Sequence, residues 1–284
     1  MAVTLLAEPA AGSDPRGRRR RWLIGGTIVW FVLLVAVAVD SAGRDRATVP
    51  DQLDIASALP DVDRATGAVS AAADGAGRVL VIGAVVMQDC DVTPVRAGAD
   101  AARDVTVHVR AGEAPTTLDA IAAALPASYG ARVSHSRGGT RHELSADAGE
   151  FVAVHGTVDD GGTVLTLRSS TGCRPLGAGA TTPVVPAGAT PAPLAVALKA
   201  LQLTGQDPAT IREVGCPSGG RARTVSVNGQ PAPPDLGRAL RAVTAGAVVI
   251  EEAADRLAYR AGDTSVVVTS ESDRVAVTAT TGCG

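Results

Sequence analysis

Two stretches of this chain end in nearly the same four residues, Ser170-Thr171-Gly172-Cys173 and Thr280-Thr281-Gly282-Cys283. Before each lies the same succession of patterns. A cysteine comes first (Cys90 or Cys216), then a Thr-Val-x-Val strand (Thr106 to Val109, or Thr224 to Val227), then an Ala/Leu helix pattern. An Ala-Gly-acid turn follows (Ala148-Gly149-Glu150, or Ala261-Gly262-Asp263), and then a Val/Thr-rich strand. A repeat on this scale constrains a fold more than local propensity does, because each copy presents the same faces for burial. The chain reads as an α+β module present twice, each a mainly antiparallel sheet with a packed helix.

The repeat also orders the cysteines. Four of them allow three pairings, and duplication selects Cys90–Cys173 and Cys216–Cys283, one bridge inside each module. Bridges place the modules in an oxidising compartment. Closing loops of 83 and 67 positions stabilises by about 4 kcal/mol each in the chain-entropy model. Each bridge is expected to serve its own module. No Cys-x-x-Cys occurs, which argues against a metal or thiol-redox role for these residues.

The N-terminal region explains how such modules reach that compartment. Arg16, Arg18, Arg19, Arg20 and Arg21 precede an uncharged run from Trp22 to Val39. Eighteen helical residues span roughly 27 Å, close to a bilayer core. The basic side stays cytoplasmic, and Trp22 stands where an interfacial aromatic belongs. Ala36-Val37-Ala38 has the small-x-small form of a cleavage site, but the length of the run and the bulk of Trp30 and Phe31 favour a retained anchor.

The expected organisation is a disordered basic cytoplasmic tail (1–21), a transmembrane signal anchor (22–39) and a tether (40–49). Module 1 (50–175), a Pro/Gly-rich linker (176–192) and module 2 (193–284) follow outside the cell membrane.

In module 1, Leu53, Ile55 and Leu59 mark a short helix stopped by Pro60, with loop from Asp61 to Gly77. The apolar run from Arg78 to Met87 reads as a central strand covered on both faces. Val105, Val107 and Val109 alternate with Thr106 and His108, as in a half-buried strand. A helix with Thr117 as N-cap and Pro126 as stop comes next, then strands near 131–136, 141–146, 151–158 and 163–169. Module 2 repeats the order: a helix at 194–203, strands at 210–214 and 223–228, and a helix opening at Pro234-Asp235. Its last strands lie near 247–252, 257–260, 264–270 and 274–280.

Composition limits the function. Residues 1–39 carry five Arg against Glu8 and Asp14, a net +3, and the rest carries 21 basic and 27 acidic side chains, a net −6. An acidic ectodomain without a basic run argues against nucleic acid. Tyr129, Phe151 and Tyr259 are the only aromatics after the anchor, which argues against carbohydrate recognition by ring stacking. With 25 Arg and the single Lys199, the coding is that of a GC-rich, actinobacterial-like genome.

No catalytic constellation stands out. Asp159-Asp160 belongs to a turn, and neighbours such as Glu251 and Glu252 point to opposite faces of a strand. Ser218-Gly219-Gly220 does not match Gly-x-Ser-x-Gly. His108, His135, His142 and His155 all lie in module 1, without helical or hairpin ligand spacing, and read as surface residues. No catalytic residue, cofactor or metal ligand is therefore assigned. The expectation is a single-pass envelope protein that binds another envelope protein or a ligand. Its alternatives are an envelope hydrolase or metal-dependent enzyme with its site in module 1, and a signal-transducing membrane subunit.

Overall fold

A computed structural model describes residues 25–36, 53–136, 138–139, 141–177, 188–204 and 206–283. Residues 25–36 form a helix (α1). Arg16 to Trp22, the ends of the expected 22–39 span and the tether lie outside the described residues. Twelve helical residues cover only about 18 Å, and no helix among the described residues is long and apolar enough to cross a membrane.

From Leu53 onward the chain forms a mixed α+β unit with two antiparallel sheets. In the first half, α2 (Ile55–Ala73), β1 (Val79–Thr93) and β2 (Arg96–His108) precede α3 (Ala114–Ala124). Then come β3 (Arg132–His135), β4 (His142–Asp147), β5 (Ala153–Val158), β6 (Val164–Ser170) and the short β7 (Arg174–Pro175). The second half has α4 (Ala192–Leu201), β8 (Thr210–Gly215), β9 (Arg221–Gly229) and α5 (Leu236–Thr244). It closes with β10 (Val248–Glu252), β11 (Arg256–Ala261), β12 (Thr264–Glu271) and β13 (Arg274–Thr281).

The sheets run β1-β2-β6-β5-β4-β3 and, read from the equivalent edge, β8-β9-β13-β12-β11-β10. Both halves thus share one order of α-helices and strands; among the described residues, β7, which pairs with β2, and a short 3-10 turn at Ala127–Tyr129 depart from the match. Cys90 is bonded to Cys173 and Cys216 to Cys283, with Cα–Cα distances of 5.9 and 5.6 Å.

Three sequence expectations fail locally. The helix of the first half does not stop at Pro60 but continues to Ala73, and no loop spans 61–77. Asp54 caps it, its carboxylate accepting from the Ser57 N–H at 2.8 Å. Pro60 removes one backbone donor close to the N-terminus. Beyond it Val62, Ala65, Val69, Ala72 and Ala73 keep a buried stripe at helical spacing. The missing Cβ of Gly67 within that stripe lets α2 approach β8: a Cβ there would lie 1.8 Å from the Gly215 carbonyl oxygen. Helix α2 is thus held by packing rather than propensity.

The second correction concerns β1. It is an edge strand, not a central one. Its apolar run is satisfied because α2 and the first core take Leu80 and Ile82, while Val79 and Val81 meet Ile250, Ala258 and Val267 of the second sheet. The expected N-cap Thr117 lies inside α3, which starts at Ala114 after Glu113, with Pro115 in its first turn.

The first core does not end at the expected module boundary. Val214, Ala222, Cys216 and Cys283 of the second half pack into it beside α2 and α3. The second core, on the other face of its sheet, joins Leu194, Leu236, Leu240, Tyr259, Val266 and Val277.

Candidate functional site

The contact between the halves uses residues that alternate with core residues. On β9, Val225 and Val227 face the second core, while Thr224 and Ser226 face the other way. Thr224 bonds Thr280 at 2.8 Å and Ser226 bonds Thr278 at 2.9 Å, a ladder of hydroxyls across the sheet. The edge of β1 lies on this ladder. The Leu80 N–H donates to Ser265 Oγ and the Ile82 N–H to Thr224 Oγ1, both at 3.1 Å. Edge donors that would otherwise be buried without partners are satisfied in this way.

Two arginines complete the contact. The guanidinium of Arg103, pushed down by burial, donates to Asp63 of α2 at 2.7 Å, to the Gly83 carbonyl at 2.9 Å and to the Glu213 carbonyl at 3.2 Å. Arg260 of β11 donates to Asp74 at 2.7 Å and reaches the Gly75 and Arg78 carbonyls.

Beyond Ile82 the β1–β2 hairpin leaves this support. Val86, Met87, Gln88, Asp89 and Asp91 are exposed, and Val95 at the turn is 96% exposed. The arm is nonetheless braced. Cys90 bonds Cys173, and β7 pairs with Gly98 and Ala99. Gly98 permits that pairing, since a Cβ would lie 2.3 Å from the Arg174 carbonyl oxygen. Arg174 itself is 1% exposed, donates to the Thr171, Glu150 and Leu53 carbonyls, and lies 5.6 Å from the centre of the Phe151 ring. Its role is not visible in the sequence, where it stands at the mouth of a Pro/Gly-rich stretch; its place next to a bridged cysteine is the only hint. Among the described residues, no strand pairs with the outer edge of β1.

The histidines part company. His108 is buried rather than on the surface: its Nδ1 lies 2.8 Å from Glu251 Oε2, and Arg256 stands on the other oxygen of that carboxylate at 3.4 Å. Burial pushes the His108 imidazole below its ordinary value, against the opposing pull of Glu251. A carboxylate only accepts, so Nδ1 carries the hydrogen and donates it to Glu251. His155 is exposed on β5 opposite Arg168. His135 and His142, seven apart, are brought face to face by the β3–β4 register, with Nδ1 atoms 2.6 Å apart. Their spacing does have hairpin meaning, which emerges only once the register is known.

Among the described residues, the carboxylates singled out by the sequence are engaged elsewhere. Asp159 Oδ1 accepts from the Thr163 and Val164 N–H groups at 3.0 and 2.9 Å, closing its turn. Glu251 serves His108. Tyr259 is packed in the second core, where burial pushes its phenol up to about 12. An open cleft of about 490 Å³ lies where α2 meets β8, lined by Ala56, Leu59, Pro60, Asp63, Arg64, Gly215 and Cys216. It gathers no nucleophile with a base.

No family model matches this chain, and no curated protein matches it. Among solved structures, the chain is similar to a DUF4853 family protein from Actinomyces odontolyticus, with 14% identity and a TM-score of 0.36. That likeness covers 63% of this chain and 96% of the other.

Proposed function

We propose that this is an envelope protein anchored by its N-terminal segment, which works by binding and not by catalysis. Its two halves descend from a duplicated module, and they lie outside the cell membrane. The disulfides support an extracytoplasmic location. Helix α1 supports the anchor: Ile28 to Val35 are all exposed and apolar, a surface that suits lipid and not water.

The observation that carries the binding reading is the braced arm with an unpaired β edge. Such an edge accepts an added strand through main-chain hydrogen bonds, and side-chain alternation sets specificity. Met87, Asp89 and Asp91 lie on one face of β1 by the two-residue period. The occupant is an extended segment of another envelope protein, apolar opposite Met87 and basic opposite the two aspartates.

A photoreactive residue placed at Met87 or Val95 in the full chain in native membranes tests this. A specific heterologous adduct is expected from both positions, and none from Asp273 in the β12–β13 turn. Equal yields at all three positions, or no adduct from the arm, would remove the binding reading. An adduct of twice the chain's mass would assign the edge to a second copy.

A further inference from the structure

At the opposite edge of the first sheet, the β3–β4 hairpin ends on the directly opposed pair His135 and His142. The rings are 4.9 Å apart, inclined at 65°, with Nδ1 facing Nδ1 at 2.6 Å. Each outward nitrogen has an oxygen partner. His135 Nε2 lies 3.2 Å from Asp119 Oδ1 on α3, and His142 Nε2 lies 3.0 Å from the Gly139 carbonyl oxygen.

A carboxylate and a carbonyl can only accept, so the hydrogen sits on Nε2 of both rings. When both rings are neutral, both Nδ1 atoms are then bare, and two lone pairs point at each other. Such an arrangement calls for a positive centre between them. An oxygen acceptor behind a ligating imidazole, here Asp119 or the Gly139 carbonyl, is also the usual outer support of a metal-bound histidine, fixing its tautomer and raising its basicity.

We propose that His135 and His142 bind a first-row transition-metal dication, of the zinc, copper or nickel kind, through their Nδ1 atoms. Imidazole suits these borderline ions. Among the described residues no third His, Cys, Asp or Glu completes a cluster, so water fills the remaining positions. The side chain of His135 is 40% exposed, which leaves the ion a path in. Tetrahedral coordination needs the two nitrogens about 3.3 Å apart. The rings reach that separation by small side-chain rotations at the exposed hairpin end. The site lies at the edge away from the β1 arm and does not rest on the partner-binding reading.

Zinc, and separately nickel, titrated into the full chain in detergent tests the site by equilibrium dialysis with metal analysis. One ion per chain is expected. His135→Ala and His142→Ala should each abolish uptake while leaving the metal-free melting temperature unchanged. Asp119→Asn should weaken it by about 10- to 100-fold, and His155→Ala should leave it intact. Zinc should also raise the melting temperature of the parent chain and not of the alanine variants. Uptake that survives His142→Ala would overturn the proposal. So would no uptake by the parent chain, with nitrogen-detected NMR showing one proton held between the two Nδ1 atoms.

Discussion

The two halves of the 53–283 unit have one topology and put it to different uses. In the second half the first three elements are short: α4 has 10 residues, and β8 and β9 have 6 and 9. In the first half the same positions hold a 19-residue helix and strands of 15 and 13 residues. Helix α4 packs on α5, β12 and β13 within its own half, whereas α2 reaches β8 and β9 of the other. The added length of β1 and β2 becomes the braced arm. One topology thus carries an interface and a projecting surface where three elements of one half are longer.

The comparison also shows where repeated sequence misleads. Thr106 pairs with Thr166, seven residues before Cys173, whereas Thr224 pairs with Thr280, three before Cys283. The matching Thr-Val-x-Val strands are therefore offset by four residues when the cysteine ends are aligned. The offset is even, so the valines still face their cores and the burial pattern survives.

The largest expected effect breaks or keeps the independence of the halves. The sequence alone makes Cys216–Cys283 a matter for the second half, but both sulfurs pack against the first core. Cys216→Ser with Cys283→Ser should cost about 4 kcal/mol, and urea unfolding should stay a single transition. A first half melting unchanged would mean two separable modules.

Next comes the contact of α2 with β8. Gly67→Val drives two methyl groups and a Cβ into the Gly215 carbonyl, and should cost about 3 kcal/mol or more. Near-infrared or fluorescence probes confined to either half should report the same midpoint; unequal midpoints would place the cooperative boundary between the halves.

Thr224→Val keeps the shape but leaves the Ile82 N–H without its acceptor, at a cost of about 1–3 kcal/mol. Hydrogen exchange at Ile82 should accelerate, while amides of the β3–β4 pair, at the far edge of the first sheet, should change less. No change at Ile82 would mean that the hydroxyl ladder does not hold the β1 edge.

The smallest effect concerns pH. His108 faces Glu251, Arg256 and Asp159, and its folded-state value lies below the unfolded one. Its contribution to stability is complete above about pH 6.5, the ordinary unfolded value, and falls as pH drops from there toward the folded value. Denaturation at a series of pH values should show less acid loss for His108→Gln than for the parent chain. Identical slopes would show that folding leaves the His108 imidazole unshifted.

Much of this architecture was written in local chemistry. The strand patterns of both halves, the Asp159 turn, the Asp235 cap and the order of elements follow from side-chain period and turn residues, which act over a few positions. The cysteine pairing follows from the repeat. What could not be read locally was what each polar face would meet. Thr224, Ser265, Thr280 and His108 have the alternation of a solvated face, yet all four are buried against the other half. Periodicity reports that a face is polar; it does not say whether water or a strand edge supplies the hydrogen bonds. For the same reason the run from Asp61 to Gly77 looked like loop until the Gly215 carbonyl occupied the space of the missing Gly67 Cβ. His135 and His142 became a pair only through register, a property of two strands that neither carries alone.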